Sequence, residues 1–258
     1  PTRRSSDLIL QAVLGLDARR IAAAFLVRPA TMSQRLVRAK AKIRAARIPF
    51  HIPPRELLPD RIGAILDAVY AAYGTGWEFD DGAAGLAEEA IELGRLLVQL
   101  LPTSPGARGL LALMLHGEAR RSARRSPSGR YVPVAEQDPA HWDVDRIEEA
   151  ERNLELAAQA GVWERFQIEA AIQSVHAARR HGRPTDWPSL VRLYRTLTAL
   201  APSIGSIVGR AAAEGQALHP QAGLAILDEL ADQLNLTRLA SIQSYWAVRG
   251  HLLRALDD

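Results

Sequence analysis

The sequence contains no cysteine, which excludes disulfides, thiolate zinc sites and cysteine nucleophiles while leaving the compartment open. Long apolar runs are missing as well. The longest candidates are broken by Arg or Glu within about ten residues, short of a membrane span, and no apolar secretory segment opens the chain. A soluble, cytoplasmic protein is expected. Aromatic residues make up 5% of the chain, and the alternation of β-branched side chains that marks half-buried strands is scarce.

Motifs of catalysis are also sparse. Neither HExxH nor a phosphate-binding glycine loop occurs. Seven histidines are scattered along the chain; the closest pair, His176 and His181, would stand about 140° apart on a helix, a poor geometry for sharing a metal. Glu88, Glu89 and Glu92 read as one exposed acidic face. Glu136 and Asp138 near His141 and Trp142 make the only compact polar-aromatic group, read as a loop anchored by a buried Trp142. No catalytic residue, metal ligand or cofactor is assigned, and the chain is not expected to be an enzyme.

What is present is helix-forming material. The chain has 258 residues, 48% hydrophobic and 24% charged, enough to bury a core. Ala, Leu, Arg and Glu dominate at helical spacing, which predicts an all-α protein. Its charge is unevenly placed. The net charge is +3, yet residues 1–60 hold 12 Lys or Arg against 4 Asp or Glu, leaving 20 against 25 for residues 61–258. The border carries Pro49, Pro53, Pro54 and Pro59, which cannot all sit inside one helix. Three parts are therefore expected: a basic domain over 1–48, a Pro-rich linker over 49–60 and a helical domain over 61–258.

Within the basic part, Ile9, Ala12, Val13 and Leu16 recur at the spacing of a short amphipathic helix that Gly15 can end. Asp17 is placed to cap a second helix with the stripe Ala18, Ile21, Ala22 and Phe25. Pro29 suits the first turn of a third. Residues 28–47, RPATMSQRLVRAKAKIRAAR, contain seven Lys or Arg and no acid. At about 100° per residue, Met32, Leu36, Ala39 and Ile43 form one inward stripe. Thr31, Gln34, Arg35, Arg38 and Lys42 gather on one flank; Ser33, Lys40 and Arg44 form a smaller one opposite. Two short helices and a turn leading into a basic helix are the outline of a helix-turn-helix, whose third element fits a major groove.

The stretch LILQAVLGLDARRIAAAFLVRPATMSQRLVRAKAKIRAARIPFHIP resembles region 4 of an extracytoplasmic-function (ECF) sigma factor, the domain that binds the −35 promoter element for RNA polymerase. The likeness extends through ILDAVYAAYGTGW, LAEEAIELGRLLVQLLP, GLLALMLHGEARRSAR, EQDPAHWD, FQIEAAIQSVHA, DWPSLVRLYRTLTALAPS and AGLAILDEL. These are similar to the long tetratricopeptide-like extension of one ECF group, for a total coverage of roughly residues 8–256. The resemblance implies promoter DNA and core RNA polymerase as partners, with a protein regulator on the extension. It puts Thr31, Gln34, Arg35 and Arg38 at or near the DNA, with Lys40, Lys42 and Arg44 nearby. Where the family reads Val-Pro-Glu before Ala-Thr-Met, this chain has Val27, Arg28 and Pro29. A cation at the positive end of a helix is unfavourable by up to about 1 kcal/mol unless a phosphate neutralises it, so Arg28 joins the candidate DNA contacts. The family's region 2 has no counterpart in this sequence, and PTRRSSDL does not continue the first helix expected of region 4. A fragment of a longer protein is expected, one that by itself would not initiate transcription.

In the acidic part, Leu190, Tyr194 and Leu197 precede Pro202 at the offsets by which Ala90, Gly94 and Leu97 precede Pro102. The prolines lie 100 residues apart, near three periods of about 34 residues, and Trp246, Gly250 and Leu253 partly follow the pattern of a first repeat helix. GEARRSARRSPSGRYVP, residues 117–133 with five Arg, reads as a long exposed loop. A second reading makes the molecule a helical-repeat interaction scaffold whose basic part docks on an acidic partner.

Overall fold

Alanine-, leucine- and arginine-rich segments fold into twelve α-helices among the residues that the computed structural model describes, which are 4–12, 15–24, 27–47, 59–78, 84–234, 239–240 and 242–257. They are α1 (Arg4–Ala12), α2 (Ala18–Ala24), α3 (Pro29–Ala45), α4 (Pro59–Glu78), α5 (Ala84–Leu100), α6 (Pro105–Ala119), α7 (Val144–Ala158), α8 (Arg165–Ala177), α9 (Trp187–Leu200), α10 (Ile204–Ala217), α11 (Pro220–Gln233) and α12 (Gln243–Asp257). An isolated bridge between Arg125 and Tyr131 is the only β pairing among the described residues. The protein is all-α.

Helix starts are fixed by side chains that accept otherwise orphaned amide protons. Ser104 Oγ accepts from Ala107 N at 3.2 Å, Asp143 Oδ1 from Arg146 N at 3.1 Å and Asp186 Oδ1 from Ser189 N at 3.0 Å. Asp17 caps α2 as its sequence position implies, Oδ1 accepting from Arg20 N at 2.8 Å. Pro29, Pro105 and Pro220 each open a helix, where a missing N–H costs nothing. Gly15 takes φ +63° in the turn after α1, and the Leu16 amide donates to the Leu10 carbonyl at 3.1 Å.

Leu10, Leu16, Ile21, Ala22, Met32 and Leu36 are buried. Val13 and Phe25, expected on the first two stripes, lie outside the described residues. Ile43 departs from expectation: it is 39% exposed. The reason is length, since the 17 residues of α3 run about 25 Å while the 7 residues of α2 cover about 10 Å. Two short helices bury only the first half of α3.

These side chains share one apolar cluster with Leu66, Ala72, Ile91, Leu110, Met114 and Phe166, so α1 to α3 are seated on α4 and its neighbours. The core is continuous across residues 49–60, the expected linker, of which 49–58 lie outside the described residues while Pro59 and Asp60 open α4. Successive helices then pack pairwise from α4 to α12. Leu190 and Leu197 on α9, and Ala90 and Gly94 on α5, are buried, with Tyr194 and Leu97 half-buried. The offset pattern before Pro102 and Pro202 therefore marks two inward helix faces. Trp246, Gly250 and Leu253 instead turn outward on α12, where Tyr245 and Leu252 hold the core positions.

Candidate nucleic-acid interface

The eight candidate residues lie on α3 and its N-cap. Arg28 is exposed with extended backbone; its carbonyl accepts from Met32 N at 3.1 Å, and its side chain caps nothing. Thr31 is half-buried and Gln34 exposed one turn on. Arg38 is exposed, its Nε donating to the Gln34 carbonyl at 3.3 Å, which lays the guanidinium along the helix. Lys40, Lys42 and Arg44 are exposed on the overhanging half. Beyond them Arg47 closes the helix with φ 47°, a left-handed position normally given to glycine.

Arg35 differs from its neighbours. It is half-buried, and its charge acts on Asp7 of α1. Asp7 is 3% exposed, and its Oδ1 has no hydrogen-bond partner among the described residues. Burial pushes the Asp7 carboxyl upward from its ordinary range, and Arg35 draws it back. Arg35 thus carries a structural duty beside any ligand contact.

Among the described residues, none of the six candidate cations is ion-paired to a carboxylate. Several acids of the helical part are engaged by arginines of that same part. Arg95 binds Glu149 through two bonds of 2.8 and 2.7 Å, Arg146 binds Glu88 at 2.8 Å and Arg165 binds Asp67 at 3.2 Å. Glu214 takes both Arg195 and Arg210, at 2.9 and 2.7 Å. The positive face of α3 is left to solvent, and a polyanion is its natural complement.

Two features escaped the sequence reading. Arg19 and Arg20 on α2 are exposed; their place opposite Ile21 and Ala22 on the wheel was the available signal. Val37, on α3, is 65% exposed; it fell on neither the apolar stripe nor a polar flank.

The Arg-rich segment 117–133 is less loop-like than expected. Gly117, Glu118 and Ala119 are buried in the last turn of α6. Arg120 turns inward, its Nε donating to the His116 carbonyl at 3.3 Å and a terminal nitrogen to Gln173 of α8. Arg121 pairs with Glu118. Only from Ser122 does the chain run as a loop, tied by Ser126 N to the Arg130 carbonyl at 2.9 Å. Trp142 is 4% exposed against Ala119, Ile147 and Ala177, the anchor the sequence suggested. Glu136, Asp138 and His141 are exposed, with His141 Nδ1 3.7 Å from Asp138 Oδ2. Among the described residues no cluster of His, Asp or Glu has the arrangement of a metal site.

Comparison with known proteins gives two likenesses. Residues 61–158 match a family of unknown function (DUF6596), a segment that runs from the first turn of α4 to the end of α7. An uncharacterized protein of Rhizobium meliloti (strain 1021) is 36% identical over 260 residues, an alignment that covers 99% of this chain and 60% of that protein. The chain thus spans about three-fifths of the length of the curated relative it matches. No solved structure matches.

Proposed function

We propose that this chain is the promoter-binding and regulatory portion of an RNA polymerase sigma factor. In this reading residues 1–48 act as a helix-turn-helix on the −35 promoter element, and residues 61–258 act as a tetratricopeptide-like interaction domain. One observation supports the reading: α3 anchors itself through Met32 and Leu36, and Arg38, Lys40, Lys42 and Arg44 are exposed with no ion pair to a carboxylate among the described residues. Helix-turn-helix proteins bind in this way, with a buried stripe, leading residues at base edges and flanking cations at phosphates. The resemblance of the same segment to ECF region 4 supports the reading independently of charge.

Positions on the helix divide the labour. Gln34 and Arg38 stand near the outward ridge and are assigned to base edges. Arg35, Lys42, Lys40 and Arg44 stand to either side, with Arg28 at the positive end, and are assigned to phosphates. The test is selection of duplexes from a randomised pool by the full chain. Enrichment of a defined sequence supports the reading, and recovery of no sequence refutes it. Capture of purified core RNA polymerase in preference to unrelated acidic proteins speaks for a sigma factor. Equal capture of both would favour the scaffold reading, in which the same surface docks on an acidic protein.

A further inference from the structure

Val37 is the most exposed large apolar side chain among the described residues, at 65%. It does not serve the core, whose contacts on α3 are made by Met32 and Leu36. At about 100° per residue it stands on the outward half of the helix between Arg44 and Ala41, with Arg38 and Lys42 farther round on one side and Lys40 on the other. An exposed aliphatic group set among the cations of a helix face is poorly suited to an acidic protein surface, which would leave it against water or carboxylates. It suits a major groove. There one base pair type offers an apolar feature, the C5-methyl group of thymine, while phosphates line both walls.

We infer that Val37 is a specificity-determining residue that packs on a thymine methyl within the bound site, so that the sequence read by α3 contains a thymine selected by apolar contact. This rests on the promoter-binding reading and extends it to a base identity. Discrimination by one methyl is modest: the burial of a single carbon on each side corresponds to about a three- to fivefold change in Kd.

The experiment uses the full chain and the duplex enriched from the randomised pool. Each thymine is replaced in turn by deoxyuridine, which removes the methyl and leaves every hydrogen-bonding group in place. For the native chain, one replacement is expected to weaken binding about three- to fivefold and the others to have little effect. Val37→Ala should lose sensitivity to that replacement while keeping the same salt dependence, and Val37→Thr, which retains a methyl, should keep it. Because position 37 faces solvent, the thermal stability of both variants should match the native chain, confirming that folding is not the cause. A bound duplex that is indifferent to all deoxyuridine replacements, or a Val37→Ala variant as sensitive as the native chain, overturns the inference and leaves the promoter reading intact. Failure to enrich any duplex removes both.

Discussion

Arg35 and Arg38 are one helical turn apart on the same flank, yet the structure gives them different burdens. Arg38 is exposed and its one hydrogen bond among the described residues is to its own helix, so Arg38→Ala is expected to leave thermal stability unchanged while costing about 1–3 kcal/mol at the enriched duplex as a base contact. Arg35→Ala should lower both affinity and stability, because it strips Asp7 of the charge that offsets its burial; thermal unfolding of the two variants in parallel separates the roles. Asp7 has the opposite sign of linkage from an ordinary carboxylate. Its folded-state pKa is raised, so the folded state holds the proton over a window where the unfolded chain has lost it, and stability falls as pH rises through that window. Asp7→Asn, which is neutral throughout, should therefore stabilise the protein at pH 7–8 by on the order of 1 kcal/mol, read as about 2–4 °C in Tm, with the gain shrinking on acidification. Two histidines, His116 buried and His176 half-buried, act the other way. Burial first, then Arg120 and a second arginine, hold His116 down to about 3 and His176 down to about 4. Glu151 Oε1 lies 3.5 Å from His116 Nε2, and the desolvation outweighs it. The unfolded chain protonates near pH 6.5; stability is complete above that value and is lost as pH falls toward the folded values, by about 1.4 kcal/mol per pH unit per histidine. His116→Gln should flatten the decline between pH 6.5 and 4, measured by denaturant titration.

Individual helices follow their own sequences closely where one turn decides the outcome. Asp17, Pro29 and Gly15 set the ends they imply, because caps and breakers act within a few residues. Asp186→Ala, at the start of α9, is expected to lower the melting temperature by removing the side chain that caps the helix, checked by thermal melting. Pairings between helices were less legible. Gly109 illustrates why: on α6 it faces the backbone of Phe166 and Gln167 of α8 so closely that a Cβ has no room, yet in sequence it is one more glycine in an apolar run. Gly109→Ala should force α6 and α8 apart and cost about 1–3 kcal/mol, read as a lower denaturant midpoint with an unchanged helical signal. The same limit explains Ile43. Its wheel position belongs to the inward stripe, but its exposure is decided by the shortness of α1 and α2, which no residue of α3 encodes. Arg120 shows a further case, since charge alone suggested solvent, and the acceptors that draw it inward, the His116 carbonyl and Gln173, come from two different helices.

Taken as a whole, the molecule keeps its two charge populations apart. Arginines of the helical part neutralise acids of that part at Glu88, Glu149, Asp67 and Glu214, so the local surplus around α3 is not cancelled internally. The charge split was visible from counting, whereas the seating of α1 to α3 on α4 was not, because a proline-rich border suggested separation and the apolar contacts that bridge it are far apart in sequence. That shared core joins α1 to α3 to the helical array. It is also why binding is best measured on the full chain. The most direct measurement is the affinity of the full chain for the enriched duplex over a range of salt concentrations. With Arg38 on a base and five cations, Arg28, Arg35, Lys40, Lys42 and Arg44, on phosphates, log Kobs should fall against log salt with a slope of about −4 to −5, and Lys42→Ala should reduce its magnitude by about one unit. A flat salt dependence, or a slope untouched by Lys42→Ala and Arg44→Ala together, would contradict the assignment of this face to DNA.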